Sequence, residues 1–320
     1  MIIARSARDL PAYGLRRVGF AIGIFDGVHC GHQQIMAELK SRCAAVGAAA
    51  VAYTFDPHPR AVLAPETAPD LIVSPMHKIA ILERLGLDAV VVLPFNRTLA
   101  ATEPGEFVRR ELLVEGLEVS LLCVGATWRF GRGAAGTVEL LQRLGAEHGF
   151  EAVGVPLVEG AAGVVSSSRI RQALAGGDLP LAEQLLGRPF SIRGRVALGK
   201  GIATTELHYP TANVTPGNDC FPPTGIYAAT AWLDGPAGRR RLPGVLYLGH
   251  SPTFVADAPP KPFVEMHIFD FHEDIYGQDL EVEFNHYIRP DERFASAAEL
   301  SAQIALDVAA AHSWHGEHAG

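Results

Sequence analysis

Two histidines that flank a glycine give the first chemical signal of the sequence. The stretch 23–32 reads Gly-Ile-Phe-Asp-Gly-Val-His-Cys-Gly-His and follows an apolar run typical of a strand. This spacing lets the rings of His29 and His32 face one site, while Gly31 lets the backbone approach a phosphate. A helix that begins here adds partial positive charge. The segment is therefore suited to stabilise charge on a nucleotide α-phosphate as pyrophosphate leaves; histidines that only cap the helix are the alternative.

Hydroxyl groups followed by an arginine form a second candidate phosphate site. Ser166, Ser167 and Ser168 stand at the start of a predicted helix, and Arg171 lies one turn further along. Hydroxyls at a helix start and a guanidinium are suitable partners for the β- and γ-phosphates of ATP. The alternative is an ordinary helix cap with a solvated arginine. The histidine motif upstream favours the phosphate-binding interpretation.

Two further candidates lie in the second half of the chain. Thr211 and Asn213, in the run Pro-Thr-Ala-Asn, carry side-chain oxygens that suit Mg²⁺ and its phosphate ligands. By itself this run fits a capped turn equally well. Glu265 alternates with apolar residues on a predicted strand, where a carboxylate is more often simply exposed to solvent. Taken alone, these residues leave both interpretations open.

Short apolar runs alternate with amphipathic segments through the first half, which predicts a parallel α/β sheet with right-handed crossovers in three layers. The predicted strands are Val18–Ile24, Ala48–Thr54, Ala89–Leu93, Ser120–Val124 and Ala152–Val155. The predicted helices are Gln33–Val46, Lys78–Leu85, Pro104–Leu113, Val138–Glu147, Ser167–Ala175 and Leu181–Leu186. The histidine motif follows the first strand, and ligands bind at the carboxyl ends of strands in such sheets.

After Phe190, β-rich runs between turn-forming residues predict an antiparallel β domain, either a sandwich or a barrel. The predicted strands are Ile192–Leu198, Gly225–Leu233, Leu242–Gly249, Glu265–Phe271 and Leu280–Ile288. Apolar positions at helical spacing predict a last helix over Ser296–Ala311, with His315 and His318 in a solvated tail. A boundary near Arg188 predicts domains 1–187 and 188–320.

Composition narrows the partners and the compartment. The length of 320 residues suggests about two domains. A net charge of -8 argues against a nucleic-acid partner, so any anionic ligand must be held locally. Hydrophobic residues make up 48% of the chain, which excludes intrinsic disorder. The four cysteines lack metal-ligand spacing, and no signal peptide or membrane span is recognisable; we therefore expect a cytoplasmic protein with no structural metal and no membrane partner.

The motif at 25–32, Phe-Asp-Gly-Val-His-Cys-Gly-His, resembles the nucleotidyltransferase signature of the prokaryotic bifunctional riboflavin kinase/FAD synthetase family. Further segments resemble this family's motifs in order, namely Thr54–Arg60, Arg129–Gly131, Val165–Arg171, Pro210–Asn213, Pro222–Ala228, Pro252–Phe254, Val264–His267, Asp274–Gly277 and Ile288–Phe294. The resemblance extends from about Gly23 to Asp307. It implies a Rossmann-like nucleotidyltransferase domain of the HIGH type, followed by a riboflavin-kinase-like antiparallel β-barrel with a C-terminal helix.

For the first domain, the resemblance implies transfer of an adenylyl group from ATP to FMN. Its catalytic residues would be His29, His32 and Arg171. The residues expected to bind ATP are Gly23, Phe25, Asp26, Gly31, Ser167 and Ser168. Those expected beside the flavin are Phe55, Asp56, Pro57, Thr127 and Arg129.

For the second domain, the resemblance implies phosphorylation of riboflavin by ATP. Glu265 would be the general base that takes the proton of the riboflavin 5′-hydroxyl. Thr211 and Asn213 would hold Mg²⁺, and Gly199, Gly201 and Thr211 would face the phosphates. The expected partners of the whole chain are thus riboflavin, FMN and ATP, with Mg²⁺ as cofactor.

The sequence departs from the family pattern in both halves. Ile24, Met76 and Thr127 stand where the family usually has asparagine, arginine, and aspartate or asparagine. The stretch 204–209 reads Thr-Thr-Glu-Leu-His-Tyr in place of a loop with glycine and arginine, and Tyr247 and Ser251 replace asparagine and arginine. Two alternatives therefore stay open: a divergent paralogue with only the adenylyltransferase activity, and a non-catalytic flavin- or nucleotide-binding regulator.

Overall fold

The computed structural model describes residues 1–160, 163–197, 209–236, 238–249 and 262–318. The chain divides into two compact units. The first comprises Met1–Pro69 and Lys78–Ser167, and the second comprises Asp70–His77 and Ser168–Gly320. Within the described ranges, no helix is long and apolar enough to cross a membrane.

The first unit contains a parallel β-sheet with helices between its strands. Its strands are β1 (Ile2–Ala4), β2 (Arg17–Ile22), β3 (Ala49–Asp56), β4 (Ala89–Pro94), β5 (Glu118–Gly125) and β6 (Glu151–Val155), with a small hairpin of β7 (Glu159–Gly160) and β8 (Gly163–Val164). Its helices are α1 (Cys30–Val46), α2 (Pro59–Leu63), α3 (Pro75–Arg84), α4 (Arg97–Ala100), α5 (Pro104–Phe107) and α6 (Val138–His148), α3 beginning in the second unit. The predicted α/β architecture is confirmed.

The strand order of this sheet is β1-β4-β3-β2-β5-β6, and it indicates where a ligand would bind. All its neighbouring strands are parallel, and the chain changes direction across the sheet between β2 and β5. In open α/β sheets, ligands bind beyond the carboxyl ends of the strands at such a switch point. The loops that begin at Gly23 and Ala126 both leave the sheet there.

Burial on both faces explains the apolar strands of the sheet. Residues 18–22 of β2 are all buried, on both faces, as expected for a parallel strand covered by helices. Two predicted boundaries are wrong: β2 ends at Ile22 rather than Ile24, and α1 begins at Cys30 rather than Gln33. The first shift adds Gly23 and Ile24 to the loop between strand and helix, and the second assigns Cys30, Gly31 and His32 to the helix.

The second unit contains a closed antiparallel barrel, with helices before and after it in the sequence. Its strands are β9 (Ser191–Ala197), β10 (Ala212–Pro216), β11 (Gly225–Gly235), β12 (Gly238–Gly249), β13 (Phe263–Ile268) and β14 (Asp279–Arg289). Its helices are α7 (Ser167–Ala175), whose first residue belongs to the first unit, α8 (Leu179–Leu186) and α9 (Ala297–Glu317). The barrel order is β10-β13-β12-β11-β14-β9.

The sequence predicts either a sandwich or a barrel for this unit, and the structure shows a closed barrel. On β13, Val264, Met266 and Ile268 are buried in the barrel interior, while Glu265 and His267 alternate with them on the outer face. Strand β10 was not among the predicted strands, because its five residues begin inside the Pro-Thr-Ala-Asn run that also fits a turn. The predicted strand over Glu265–Phe271 ends three residues early, at Ile268.

The C-terminal helix corrects one prediction. Helix α9 runs to Glu317, so His315 is a helical residue buried against the barrel and not part of a solvated tail. Its Nε2 lies 3.1 Å from the carbonyl oxygens of both Ala229 and Gly244, to which an Nε2–H donates. His318 is exposed, as predicted. The prediction failed because the apolar spacing was followed only to Ala311.

We expect His315 to make the second unit less stable in acid. Burial lowers the pKa of His315, so the unfolded chain binds this proton more tightly than the folded chain does. The neutral ring therefore stabilises the fold above about pH 6.5, the ordinary histidine value, and this contribution is lost as the pH falls. His315→Gln keeps an N–H donor without titrating. Its free energy of unfolding in urea should fall less than that of the wild type between about pH 7.5 and about pH 5.5.

The matched control is His318→Gln, which changes the exposed histidine at the C-cap of the same helix. It should follow the wild-type pH dependence. Equal pH dependence of the wild type and His315→Gln would show that the buried ring titrates no differently in the folded and unfolded chain.

Candidate active sites

The two predicted histidines lie together at the amino terminus of α1. His29 is the N-cap residue, and its Nδ1 accepts the backbone N–H of His32 at 3.4 Å. The two rings stack with centroids 3.6 Å apart and planes 15° apart. A Cβ on Gly31 would lie only 3.2 Å from the His29 ring, which explains the glycine. Because Nδ1 faces the helix, the opposite nitrogen of His29 points away from it.

The loop before these histidines has an unusual backbone. The φ angles of Phe25, Gly27 and Val28 are 53°, 81° and 42°, in the left-handed region. For non-glycine residues such a conformation costs roughly 1–3 kcal/mol and persists only where the surroundings fix it. Phe25 is fully buried and contacts the edge of the His32 ring at a centroid distance of 5.3 Å. The loop therefore has to be held in place.

Three side chains hold alternate carbonyl groups of this loop. Lys78 Nζ donates to the carbonyl oxygen of Ile24 at 2.8 Å, Ser167 Oγ to that of Asp26 at 2.9 Å, and Gln33 Nε2 to that of Val28 at 2.9 Å. Ser167, a predicted phosphate ligand, thus uses its hydroxyl proton within the protein. Its direct contact with ATP stays a prediction.

Lys78 is the functional candidate that sequence reasoning missed. Its side chain is buried, and desolvation lowers its pKa against the opposing effect of Asp26 and Asp56. In the sequence it stands at the predicted start of an amphipathic helix, where a lysine is ordinarily solvated. No motif of the sequence marks Lys78, because its burial depends on contacts with the distant residues Ile24 and Thr54.

The predicted flavin residues fall into two groups. The first group is exposed at the carboxyl ends of strands: Asp56 ends β3 and Pro57 follows it, while Thr127 and Arg129 follow β5. Phe55 is instead buried in an aromatic cluster with Tyr53, Phe95 and Phe107. Beside Thr127, the half-buried Trp128 stacks on Phe130 with centroids 4.6 Å apart, an aromatic surface that the motifs did not indicate.

The predicted residues Ser168 and Arg171 belong to the second unit, on α7. The helix begins and ends where it was predicted. Arg171 Nε donates to the carbonyl oxygen of Asp70 at 2.7 Å, which holds the guanidinium group at its Nε end. The phosphate contacts of both residues stay predictions.

On the barrel, the structure brings three residues into one row. Asn213 on β10 and Tyr247 on β12 lie directly opposite Glu265 on β13. Residues directly opposite on antiparallel strands share a face, and Ala212 and Val264 beside them are buried inside the barrel. The predicted metal ligand and the predicted base therefore share the outer face.

The surroundings of Glu265 suit a general base. Burial raises the pKa of its carboxyl group above the ordinary value, which brings a carboxylate closer to the pH at which base catalysis works best. The hydroxyl of Tyr247 donates to Asp291 Oδ2 at 2.9 Å, and burial raises the pKa of this tyrosine so that it remains a donor. Tyr247, which stands in place of an asparagine, is thus the direct neighbour of the predicted base.

A cavity of about 430 Å³ opens beside the Pro-Thr-Ala-Asn run. Its lining residues come from β9, β10, β13 and the turn that follows β13, and they are Val196, Pro210, Thr211, Ala212, Met266, Ile268, Phe271, His272, Glu273, Asp274, Ile275 and Tyr276. His267 Nδ1 lies 2.8 Å from the carbonyl oxygen of Pro210, at the start of the motif. The predicted phosphate residues Gly199 and Gly201, the stretch 204–208 and Ser251 lie outside the described residues.

Both halves of the chain match family models of known proteins. Residues 15–169 match the family model described as FAD synthetase, and residues 186–315 match the one described as riboflavin kinase. Proteins named bifunctional riboflavin kinase/FMN adenylyltransferase are 40% identical over 292 residues in Pseudomonas fluorescens and 37% identical over 295 residues in Escherichia coli K12. The alignments cover 91% and 92% of this chain and the same shares of the relatives.

This chain belongs to the bifunctional riboflavin kinase/FMN adenylyltransferase family. Both domains of the family are present in the order that the motifs predicted. A crystal structure from Streptococcus pneumoniae, described as a macrolide-efflux protein, has a similar fold over 96% of both chains, with a TM-score of 0.77 and 29% identity.

The raised pKa of Glu265 predicts that the ionised form of this side chain destabilises the riboflavin kinase domain. A carboxyl group whose pKa is raised by folding stabilises the fold while protonated, and this is lost as the pH rises through the folded value. Glu265→Gln should therefore raise the free energy of unfolding at neutral pH, with a smaller effect near about pH 4.5, the ordinary glutamate range. Urea denaturation at the two pH values measures this.

Glu273→Gln is the matched control for this experiment. Arg240 lowers the pKa of Glu273 through a hydrogen bond, so removal of its charge should not raise stability at neutral pH. If Glu265→Gln and Glu273→Gln changed stability alike at both pH values, the Glu265 carboxyl group would not be perturbed by burial.

Proposed function

We propose that this chain phosphorylates riboflavin to FMN and adenylylates FMN to FAD, using ATP in both reactions. We assign the adenylyl transfer to residues 1–187 and the phosphorylation to residues 188–320. The observation that carries the proposal is the presence of two chemically different sites in separate units. One has a stacked histidine pair at a helix amino terminus, and the other has a desolvated carboxylate beside an amide.

In adenylyl transfer, a phosphate oxygen of FMN attacks the α-phosphorus of ATP. The new bond joins this oxygen to phosphorus, the bond to the β-phosphate breaks, and pyrophosphate leaves with the electron pair. Such reactions depend on positioning and electrostatic stabilisation and need no covalent intermediate. His29 and His32 stabilise the charge that develops at the α-phosphate. Ser168 and Arg171 hold the departing phosphates.

The nucleotide and the flavin occupy different loops of the first domain in this proposal. Gly23, Phe25, Asp26 and Gly31 shape the loop that receives ATP. The flavin lies beside the residues Phe55, Asp56, Pro57, Thr127 and Arg129. Support comes from the topology, because the loops after β2, β3 and β5 leave neighbouring parallel strands at the same edge.

In phosphorylation, the 5′-hydroxyl oxygen of riboflavin attacks the γ-phosphorus of ATP. Glu265 accepts the hydroxyl proton as the new oxygen–phosphorus bond forms, and ADP leaves with the electrons of the broken bond. The raised pKa of Glu265 supports this role because it makes the carboxylate a stronger base. Gly199, Gly201 and Thr211 face the phosphates, and the cavity beside Thr211 is the proposed place of the nucleotide.

Magnesium fits the donor set of the barrel site. The hydroxyl oxygen of Thr211 and the amide oxygen of Asn213 are hard neutral ligands, which suit Mg²⁺ when phosphate oxygens complete its shell. When bound, the ion neutralises charge on the phosphates of ATP. Among the described residues, no cluster of three histidine, cysteine, aspartate or glutamate side chains could hold a metal ion without the nucleotide.

We place the enzyme in the cytoplasm, where its substrates are nucleotide and flavin. Cys30, Cys43, Cys123 and Cys220 are all present as thiols, which suits a reducing compartment. Burial raises the pKa of Cys43 to about 11 and that of Cys123 to about 12, so these two thiols are poor nucleophiles.

The second candidate function is adenylyl transfer alone. The observation that favours it is Tyr247, a large side chain directly opposite Glu265 where the family usually has asparagine. A phenol ring in this row reduces the space over the base. In that case FMN must be supplied by another enzyme, and this chain only converts FMN to FAD.

One assay distinguishes the two candidates. The purified protein is incubated with riboflavin, ATP and Mg²⁺, and the flavins are separated by chromatography. The bifunctional proposal predicts that FMN appears first and FAD follows. FAD formation from FMN but not from riboflavin would support adenylyl transfer alone, and no FAD from either substrate would contradict both candidates.

Two variants should separate the reactions within one protein. Glu265→Gln should reduce FMN formation by at least about 10²-fold because the base is lost, while FMN is still converted to FAD. His32→Ala should reduce FAD synthesis by a similar factor and leave the kinase rate unchanged. The rates of both half-reactions are measured separately for each variant. A Glu265→Gln enzyme that still made FMN at the wild-type rate would remove Glu265 from the proposed role.

A further inference from the structure

Lys78 is a buried cation that no motif includes. Its side chain is 8% exposed on α3, in the first unit. Nζ donates to the carbonyl oxygen of Ile24 at 2.8 Å and lies 3.4 Å from Oγ1 of Thr54, which itself donates to the same carbonyl at 3.1 Å. A buried ammonium group is costly to desolvate, and a methionine of similar length would fill the same volume without that cost. Stability alone therefore gives no reason for a lysine here.

The charges that face Lys78 come from two neighbouring strand ends. Asp26, which is buried, and Asp56 at the end of β3 both act electrostatically on the ammonium group. Their attraction opposes the desolvation of Lys78. Lys78 thus joins the Ile24–His29 loop and the carboxyl end of β3, the two segments that carry predicted ATP and flavin residues.

The contacts of this loop fix the directions of its amide groups. The carbonyls of Ile24, Asp26 and Val28 accept hydrogen bonds from side chains, and these peptide bonds are trans. Because C=O and N–H of one trans peptide point in opposite directions, the amides of Phe25, Gly27 and His29 are directed away from those side chains. Backbone amides in such loops are suitable anion donors.

Of the donors Lys78, Ser167 and Gln33, Lys78 carries a charge, and it acts directly beside Phe25. Phe25 has a left-handed φ of 53° and contacts the edge of the His32 ring. A change at the Ile24 carbonyl is therefore transmitted through Phe25 to the ring of His32. Misplacement of a catalytic group by about 1 Å can cost roughly 10²-fold in rate.

We propose that Lys78 is a positioning residue of the adenylyltransferase site, which holds the Ile24–His29 loop in its left-handed conformation so that His32 and the loop amides face the ATP phosphates. The proposal rests on the proposed FMN adenylyltransferase function. Lys78 does not touch the substrate itself; its effect passes through the carbonyl of Ile24.

The test compares Lys78→Met with the matched control Lys40→Met. Lys40, also in the first unit, donates to the carbonyl oxygen of Leu85 at 2.6 Å but is exposed. Lys78→Met should lower kcat for FAD formation from FMN by at least about tenfold, with little change in KM for FMN. The riboflavin kinase rate measured on the same protein should stay unchanged and shows that the chain is folded. Lys40→Met should match the wild type in both reactions.

Chemical rescue separates charge from volume. In Lys78→Ala, added propylamine should restore part of FAD formation, whereas the neutral propanol should not. Equal rescue by both compounds would mean that Lys78 only fills space and would overturn the proposal. So would a Lys78→Met enzyme with kcat within about twofold of the wild type.

A readout without catalysis distinguishes failure of this inference from failure of the proposed function. The ring Hε1 protons of His29 and His32 are observed by NMR in the wild type and in Lys78→Met. The proposal predicts that their chemical shifts change, because the stack depends on the loop. Unchanged ring shifts would contradict it even if the wild type made no FAD, and absence of FAD with changed shifts would contradict only the proposed function.

Discussion

The backbone between β2 and α1 is the constraint on which the adenylyltransferase site depends. Left-handed conformations at Phe25, Gly27 and Val28 turn the chain sharply from a buried strand into a helix. Donors from three separate elements fix the intervening carbonyls. The stacked histidines at the start of α1 are the product of this turn, because a relaxed loop would place the helix amino terminus elsewhere. Strain at this position is thus part of how the sheet edge forms the proposed phosphate site.

Local charge resolves the apparent conflict between an acidic chain and anionic ligands. The net charge is -8, yet the loop combines a helix amino terminus, backbone amides and a buried lysine. These groups act at short range in a desolvated setting, where electrostatic interactions are stronger than in water. In the barrel, burial acts on an acidic group instead. It raises the pKa of Glu265, so that the carboxylate is a stronger base. The negative net charge, which argues against a nucleic-acid partner, is therefore compatible with nucleotide substrates.

Sequence reasoning predicted the elements whose signals are local. Strands β2 to β5 are buried on both faces and therefore appear in the sequence as continuous apolar runs. Helix α7 is buried along one side and therefore has apolar residues at helical spacing. Strand β10 could not be recognised, since its pairing with β9 and β13 is made by distant segments. Lys78 was missed for the same reason: its burial depends on Ile24, which is 54 positions away. His315 was missed because its carbonyl partners lie on β11 and β12.

The central claim is that one chain carries out two different ATP reactions at two sites. The most direct measurement follows phosphorus from ATP into the flavins. The wild-type protein is incubated with riboflavin and ATP labelled at either the γ- or the α-phosphate. The structure and the family assignment predict γ-label in FMN and in FAD, and α-label in FAD alone. FAD without γ-label, or α-label in FMN, would contradict the phosphorylation of riboflavin followed by the adenylylation of FMN.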